Sequence, residues 1–214
     1  MRIRLWLFIL VLVVLMTGCA TDSETKETQN NSSDEVTFKE GKVVSVKDKT
    51  FYEEDLDFHT LMNKIKLLLQ KEVTEDEEQL EYLDEQIEYH DNINVNLQSM
   101  IELYAAALLA EEKNYFIPDD KLLKEVGKYK EQIDEADEAV EMVEDFGREK
   151  FNRNIEEYVR QTLLRDRVVA DLEENLKEDN PDAEDREINF YLAKEYDDLI
   201  EDQIATLEIE IHIE

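Results

Sequence analysis

One cysteine, two prolines and four glycines are all that 214 residues contain of the three types that most constrain a backbone. The single cysteine, Cys19, excludes an intramolecular disulfide. So few glycines and prolines leave little turn chemistry for a many-stranded sheet, whereas Glu, Leu, Lys, Asp and Ala are abundant and favour helix. Positive charge is also scarce: 24 Lys and Arg face 56 Asp and Glu, for a formal charge of −32. Such a chain repels phosphate backbones, which excludes nucleic acid as a partner. Histidine is limited to His59, His90 and His212, with no second ligand at metal spacing, so no zinc site is expected and each reads as a surface residue. The acidic runs Glu75 to Glu78, Asp119-Asp120 and Asp182 to Asp185 lack the alternating, glycine-centred pattern of a calcium loop and read as solvated helix starts. There is no phosphate loop and no nucleophile elbow. The expectation is a non-enzyme without cofactor or metal.

What the chain does have begins at its N-terminus. Arg2 and Arg4 precede an unbroken apolar run from Leu5 to Met16, and Met16-Thr17-Gly18-Cys19 follows. Those 12 residues are too few to span a bilayer, which takes roughly 20 at about 1.5 Å each, but they suit the core of a cleaved signal. Met16-Thr17-Gly18-Cys19 resembles the lipobox of bacterial lipoproteins, although methionine is less usual at its first position. The resemblance implies cleavage before Cys19 and lipidation of its thiol, which puts the protein on the extracytoplasmic face of a bacterial cell membrane. Two acyl chains hold a protein where one binds only marginally, since each buried methylene contributes about 0.8 kcal/mol. Removing 18 of 214 residues leaves 196, and losing two cations takes −32 to −34. That charge discourages contact with an anionic leaflet. Ala20 to about Asp34 carries no large apolar residue and reads as a disordered tether through residue 35, reaching on the order of 20 Å.

The folded body is expected from residue 36 to residue 214, as one mainly α, elongated unit. Lys42 to Tyr52 reads as a hairpin turning at Asp48-Lys49. Leu56, Leu61, Met62, Ile65, Leu68 and Leu69 then mark a helix over about 54–72. Thr74 with Glu77 suggests a capping box for a second helix, marked by Leu80, Leu83, Ile87, Leu97, Ile101, Tyr104 and Leu108 to about Asn114, with a bend or short loop at the polar stretch 91–96. Pro118 sets a boundary with Asp119 as cap, and Leu122, Leu123, Val126 and Tyr129 form the inner face of the next helix. A weaker helix over 135–145 ends at Gly147. A long amphipathic helix over about 149–177 follows, on Phe151, Ile155, Tyr158, Val159, Leu163, Val169 and Leu172, and Asn180-Pro181 closes it. The last helix, about 185–205, gives way to the strict alternation of Leu207 to Ile213. An isolated strand does not persist, and the strong partner is Val43 to Val46, so the two ends of the body should pair in a small sheet.

That order of elements resembles the peptide-binding core of the SurA, PrsA and trigger-factor group of chaperones. Val43 to Leu56 resembles the opening strand, turn and acidic helix start, with Asp48-Lys49 in place of Asn-Gly. Met100 to Lys128, turning at Phe116-Ile117-Pro118-Asp119-Asp120, resembles the next two helices, and Phe146-Gly147-Arg148-Glu149-Lys150-Phe151 through Val169 the glycine turn and long helix. The closing helix and strand resemble the segment that completes the core, so the likeness covers most of residues 42–213, though each motif is degenerate. Only a few residues separate Lys177 from Asp185, which leaves no room for the parvulin isomerase domain often found there.

The resemblance implies a membrane-tethered, chaperone-like protein that binds unfolded or partly folded secreted polypeptides without prolyl isomerase activity. Curved helices would leave an apolar groove lined by Tyr104, Leu108, Tyr115, Phe116, Phe151 and Tyr158, unless those side chains simply pack the core. The alternative is a structural or assembly lipoprotein with one dedicated envelope, spore or secretion partner.

Overall fold

The computed structural model describes residues 37–212. The apolar leader, Cys19, the tether and Ile213 lie outside that range. Seven helices and three strands make up the described chain, in a mainly helical fold with one small antiparallel sheet.

Strands β1 (Lys42–Val46) and β2 (Lys49–Tyr52) form the hairpin, with Val46 opposite Lys49. The turn is therefore Lys47-Asp48, one residue earlier than the sequence suggests. Lys47 takes the left-handed conformation (φ 51°) that an Asn-Gly turn would supply at less cost. Strand β3 (Ile209–Ile211) lies antiparallel on the other side of β1, pairing Val44 with Ile211 and Val46 with Ile209. The order β2-β1-β3 thus joins the two ends of the body, as the alternating sequence requires. Val43 and Val44 are both fully buried although consecutive, because the register shifts between Lys42 and Val44 and the pleat is broken there. The alternation of the last strand is only partly used. Leu207 is buried, but Ile211 sits at the sheet edge and is half exposed.

Helix α1 (Glu53–Lys71) starts directly after β2, where Asp55 Oδ2 accepts from the Tyr52 amide at 2.8 Å. Helix α2 (Glu77–Tyr89) is capped by Asp76, whose side chain accepts from Gln79 N at 2.9 Å. Thr74 does not cap it. Its hydroxyl donates to the Gln70 carbonyl at 2.7 Å, closing α1 instead. The chain breaks at residues 90–92, and α3 (Ile93–Glu112) begins with Asn92 accepting from Asn94 N. Helix α4 (Asp119–Asp134) starts after Pro118 with no side-chain cap, so Asp119 is its first residue. Helix α5 (Asp137–Phe146) ends at Gly147, whose φ of 99° is open to glycine at no steric cost.

Helix α6 (Arg148–Asp179) runs 32 residues, and α7 (Asp185–Ala205) returns alongside it. Helices α1, α3, α4, α5 and α7 all touch α6. Its buried face therefore rotates along its length. Phe151, Ile155, Tyr158 and Val159 are buried as the stripe predicts, but farther along Leu164, Val168 and Leu176 are buried while Leu163, Val169 and Leu172 are half-buried. On α4, Leu122 and Val126 are buried while Leu123 is 61% exposed. The largest apolar cluster joins α1, α3, α4, α5 and α6, a second packs the sheet against α3 and Leu56 of α1, and a third sits at the far end of α6 against α7.

Candidate functional site

The six groove candidates do not share one surface. Phe151 (2% exposed) and Tyr158 (5%) belong to the central cluster, stacked around Phe58 at centroid distances of 5.9 Å each. They line no groove. The interior that a bowed frame would leave open is filled at this point by the chain's own side chains, because Phe58 and Phe146 on α1 and α5 meet α6 there.

Tyr104 and Leu108, one turn apart on α3, do border an opening. It is a cleft of about 150 Å³ between α3 and α6, with Tyr104, Ala107, Leu108 and Leu164 as apolar walls and Glu111, Glu157, Arg160 and Gln161 as polar ones. Lys49 from the hairpin reaches across it. Its ammonium lies 4.8 Å from the Phe51 ring centroid and 5.0 Å from that of Tyr104, and 3.4 Å from Glu157 Oε1. The two rings meet edge to face at 5.1 Å. Burial raises the Tyr104 phenol above its ordinary pKa, helped by Glu111, Glu157 and Asp48, so it is a neutral donor at physiological pH. A liquid water occupies about 30 Å³, so the cleft admits one or two side chains rather than a length of chain.

Tyr115 and Phe116 follow the end of α3. Asn114 adopts φ 61°, with its amide donating to Glu111 O at 2.8 Å and the Tyr115 amide to Ala110 O at 2.9 Å, which makes a Schellman turn. That turn sends Tyr115 toward α6, where its hydroxyl donates to Asp171 Oδ2 at 2.7 Å and Arg167 lies over its ring at 5.2 Å. Phe116 points away and is 79% exposed, the most exposed large apolar side chain among the described residues. A run of aromatic residues at a turn announces their presence but not their directions, so sequence reasoning could not separate these two from Phe151 and Tyr158.

The histidines also need correction. His59 is buried (4% exposed) against Tyr158, with Nε2 and Ser99 Oγ 3.0 Å apart. Its desolvation, with Lys66 nearby, lowers its pKa to about 3, so it is neutral. His90 Nδ1 lies 2.8 Å from Asn96 Oδ1, and His212 Nε2 lies 2.8 Å from Ser45 Oγ in β1. Among the described residues no group of three acidic, histidine or cysteine side chains could hold a metal ion, and no helix is long and apolar enough to cross a membrane.

Compared with protein families, curated proteins and solved structures, the chain matches none.

Proposed function

We propose that the chain is a membrane-tethered, extracytoplasmic, chaperone-like protein that binds secreted polypeptides, held on the bacterial cell through lipid on Cys19 and without prolyl isomerase activity. The observation that carries this reading is the closure of the helical body by β1 and β3, with a cleft beside the hairpin whose walls include Tyr104 and Leu108. A cleft of that size suits single apolar or aromatic side chains of a client, and the acidic surface around it keeps bound chains soluble. Phe116, exposed at the turn after α3, is a further apolar contact for a client. The expected result is that equimolar protein slows aggregation of an unfolded secreted substrate, and that Leu108→Glu removes most of the effect. Unslowed aggregation would overturn the reading. The anchor has its own test: Cys19→Ala should move the protein from the membrane fraction to the soluble one.

A second reading is favoured by the filled interior around Phe58, Phe151 and Tyr158. A broad client-sheltering surface needs extensive open apolar area, and a protein with one small cleft is better matched to a single partner, as in an assembly or structural lipoprotein. Crosslinking in cells separates the two: many clients fit the chaperone, one stoichiometric partner fits the assembly role.

A further inference from the structure

At the hairpin end of the α3–α6 cleft the protein shows how a cation sits there. Phe51 and Tyr104 meet at an interplanar angle of 78°, and the Lys49 ammonium lies within 5.0 Å of both ring centroids. An ammonium is attracted to an aromatic face out to about 6 Å, so both rings hold it. A carboxylate supplies the third side. Glu157 Oε1 lies 3.4 Å from Lys49 Nζ and also accepts from Gln161 Nε2 at 2.9 Å, a bond that fixes the carboxylate along α6. Two rings and a carboxylate select an alkylammonium over a neutral chain of the same length, because a neutral chain gains from neither kind of partner.

Lys49 is not locked into this corner. Its ion pair is long, and the side chains of Lys49 and Glu157 are 34% and 55% exposed, so the pair contributes little. Its flexible four-carbon stem lets the head swing into solvent without moving the backbone of β2. The cleft beyond it continues along Ala107, Leu108 and Leu164, an apolar strip that suits the methylenes of an entering lysine. Charge acts in the same direction. Asp48, whose charge bears on the Tyr104 phenol, Glu111 and Glu157 in the cleft, Glu156 paired with Arg160, and Glu112 paired with Lys47 make five carboxylates. The cations among them are three, Lys47, Lys49 and Arg160. Negative charge therefore exceeds positive at this rim even with Lys49 in place, and an ammonium that replaces the Lys49 head reduces the excess left when that head moves out.

We propose that the corner formed by Phe51, Tyr104 and Glu157 is a subsite for a lysine side chain of a bound polypeptide, and that Lys49 fills it from within until a client displaces it. Lys49 is thus an internal stand-in for the ligand. It keeps the rings and the carboxylate covered in the free protein, and it lowers the affinity for clients that offer no cation. The proposal rests on the reading that the cleft takes client side chains, and adds which side chain it prefers.

The test is fluorescence anisotropy of the full chain in detergent, at physiological salt, with capped hexapeptides that differ only in one central residue, lysine or norleucine. The lysine peptide should bind about fivefold more tightly. Tyr104→Leu leaves every charge in place and should remove most of that preference. Lys49→Ala should tighten the lysine peptide by a further factor of about three and leave the norleucine peptide within about twofold. Lys47→Asn removes a neighbouring charge, suits the left-handed turn, and should tighten neither peptide by more than about twofold. Carbon-13 labelling of the lysines in the unaltered protein gives a readout independent of any variant's folding. The Lys49 ε-methylene resonance, displaced by the two rings, should move toward the free-lysine value as the lysine peptide saturates. Equal binding of the two peptides overturns the subsite and leaves the client cleft standing. Binding of neither also overturns it, and the aggregation assay then tells whether the client reading falls with it. Equal tightening by Lys47→Asn, a preference that survives Tyr104→Leu, or an unmoved Lys49 resonance at saturation would each overturn the proposal.

Discussion

An imidazole held neutral inside the protein makes stability depend on pH in a defined direction. His59 titrates near 6.5 in the unfolded chain and at about 3 in the folded one, because burial penalises its charged form. Between those values the unfolded state binds the extra proton, so stability is intact above pH 6.5 and falls as the pH drops below it. His90 is lowered by partial burial and adds in the same sense. Urea denaturation at pH 7.5 and pH 5.2 should show a loss approaching about 1.4 kcal/mol per pH unit from His59 alone, and His59→Gln should flatten that slope. An unchanged slope in the variant would assign the dependence to other groups. Asn96, 2% exposed, is a second residue on which much depends. Its amide nitrogen donates to the carbonyls of His90 and Asn92 at 2.8 and 3.1 Å, and its oxygen lies 2.8 Å from His90 Nδ1. In the sequence it is one more polar residue interrupting a helical stripe, and nothing marks it as the clasp of the α2–α3 break. Asn96→Ala leaves those partners unsatisfied and should cost about 1–3 kcal/mol in the same denaturation assay.

Among the elements, the end strand carries the most consequence for its length. Ile209–Ile211 is three residues long, but around it the Lys47 amide donates to Glu208 O and the His212 amide to Val43 O, both at 2.9 Å. A chain ending at Thr206 should lose slow exchange at the Lys47 amide and show a lower urea midpoint, because β1 becomes an open edge. Retained protection at Lys47 would mean that the hairpin stands without its third strand. The pairing was legible because period-two alternation at 207–213 is a strong local signal with one β-rich partner to meet. Helix existence was legible for the same reason, since each apolar stripe is long, and Gly147 and Pro118 mark their boundaries. Caps and faces were less so. Thr74 and Asp76 both offer an oxygen before α2, and only the packing of the α1 end decides that Thr74 turns back to Gln70. Likewise the face of α6 that is buried depends on which of five helices lies against it at each turn, which no single-helix pattern contains.

At the scale of the whole molecule, an excess of 32 negative charges sets the balance. Most of the cations that pair do so at the surface, as in Lys47–Glu112, Arg148–Asp134 and Arg153–Glu54, at 3.1–3.2 Å and with both side chains substantially exposed. Pairs of that kind contribute roughly 0–1 kcal/mol each. Each also leaves the surplus carboxylates untouched, so the residual field over the body is repulsive and opposes compaction. Salt acts on both contributions but not equally. Raising ionic strength from about 0.01 to 0.1 M shortens the screening length from about 30 to about 10 Å, which removes long-range repulsion among dispersed carboxylates before it weakens pairs in contact. The protein should therefore become more stable with added salt, its urea midpoint rising from 10 mM to about 0.3 M sodium chloride, where the screening length falls below 10 Å. A midpoint that falls over this range would mean that the surface ion pairs outweigh the repulsion. The same field should keep the body away from an anionic leaflet, so that a version lacking the Cys19 lipid shows no binding to vesicles rich in phosphatidylglycerol at low salt, where attraction or repulsion by the surface is greatest.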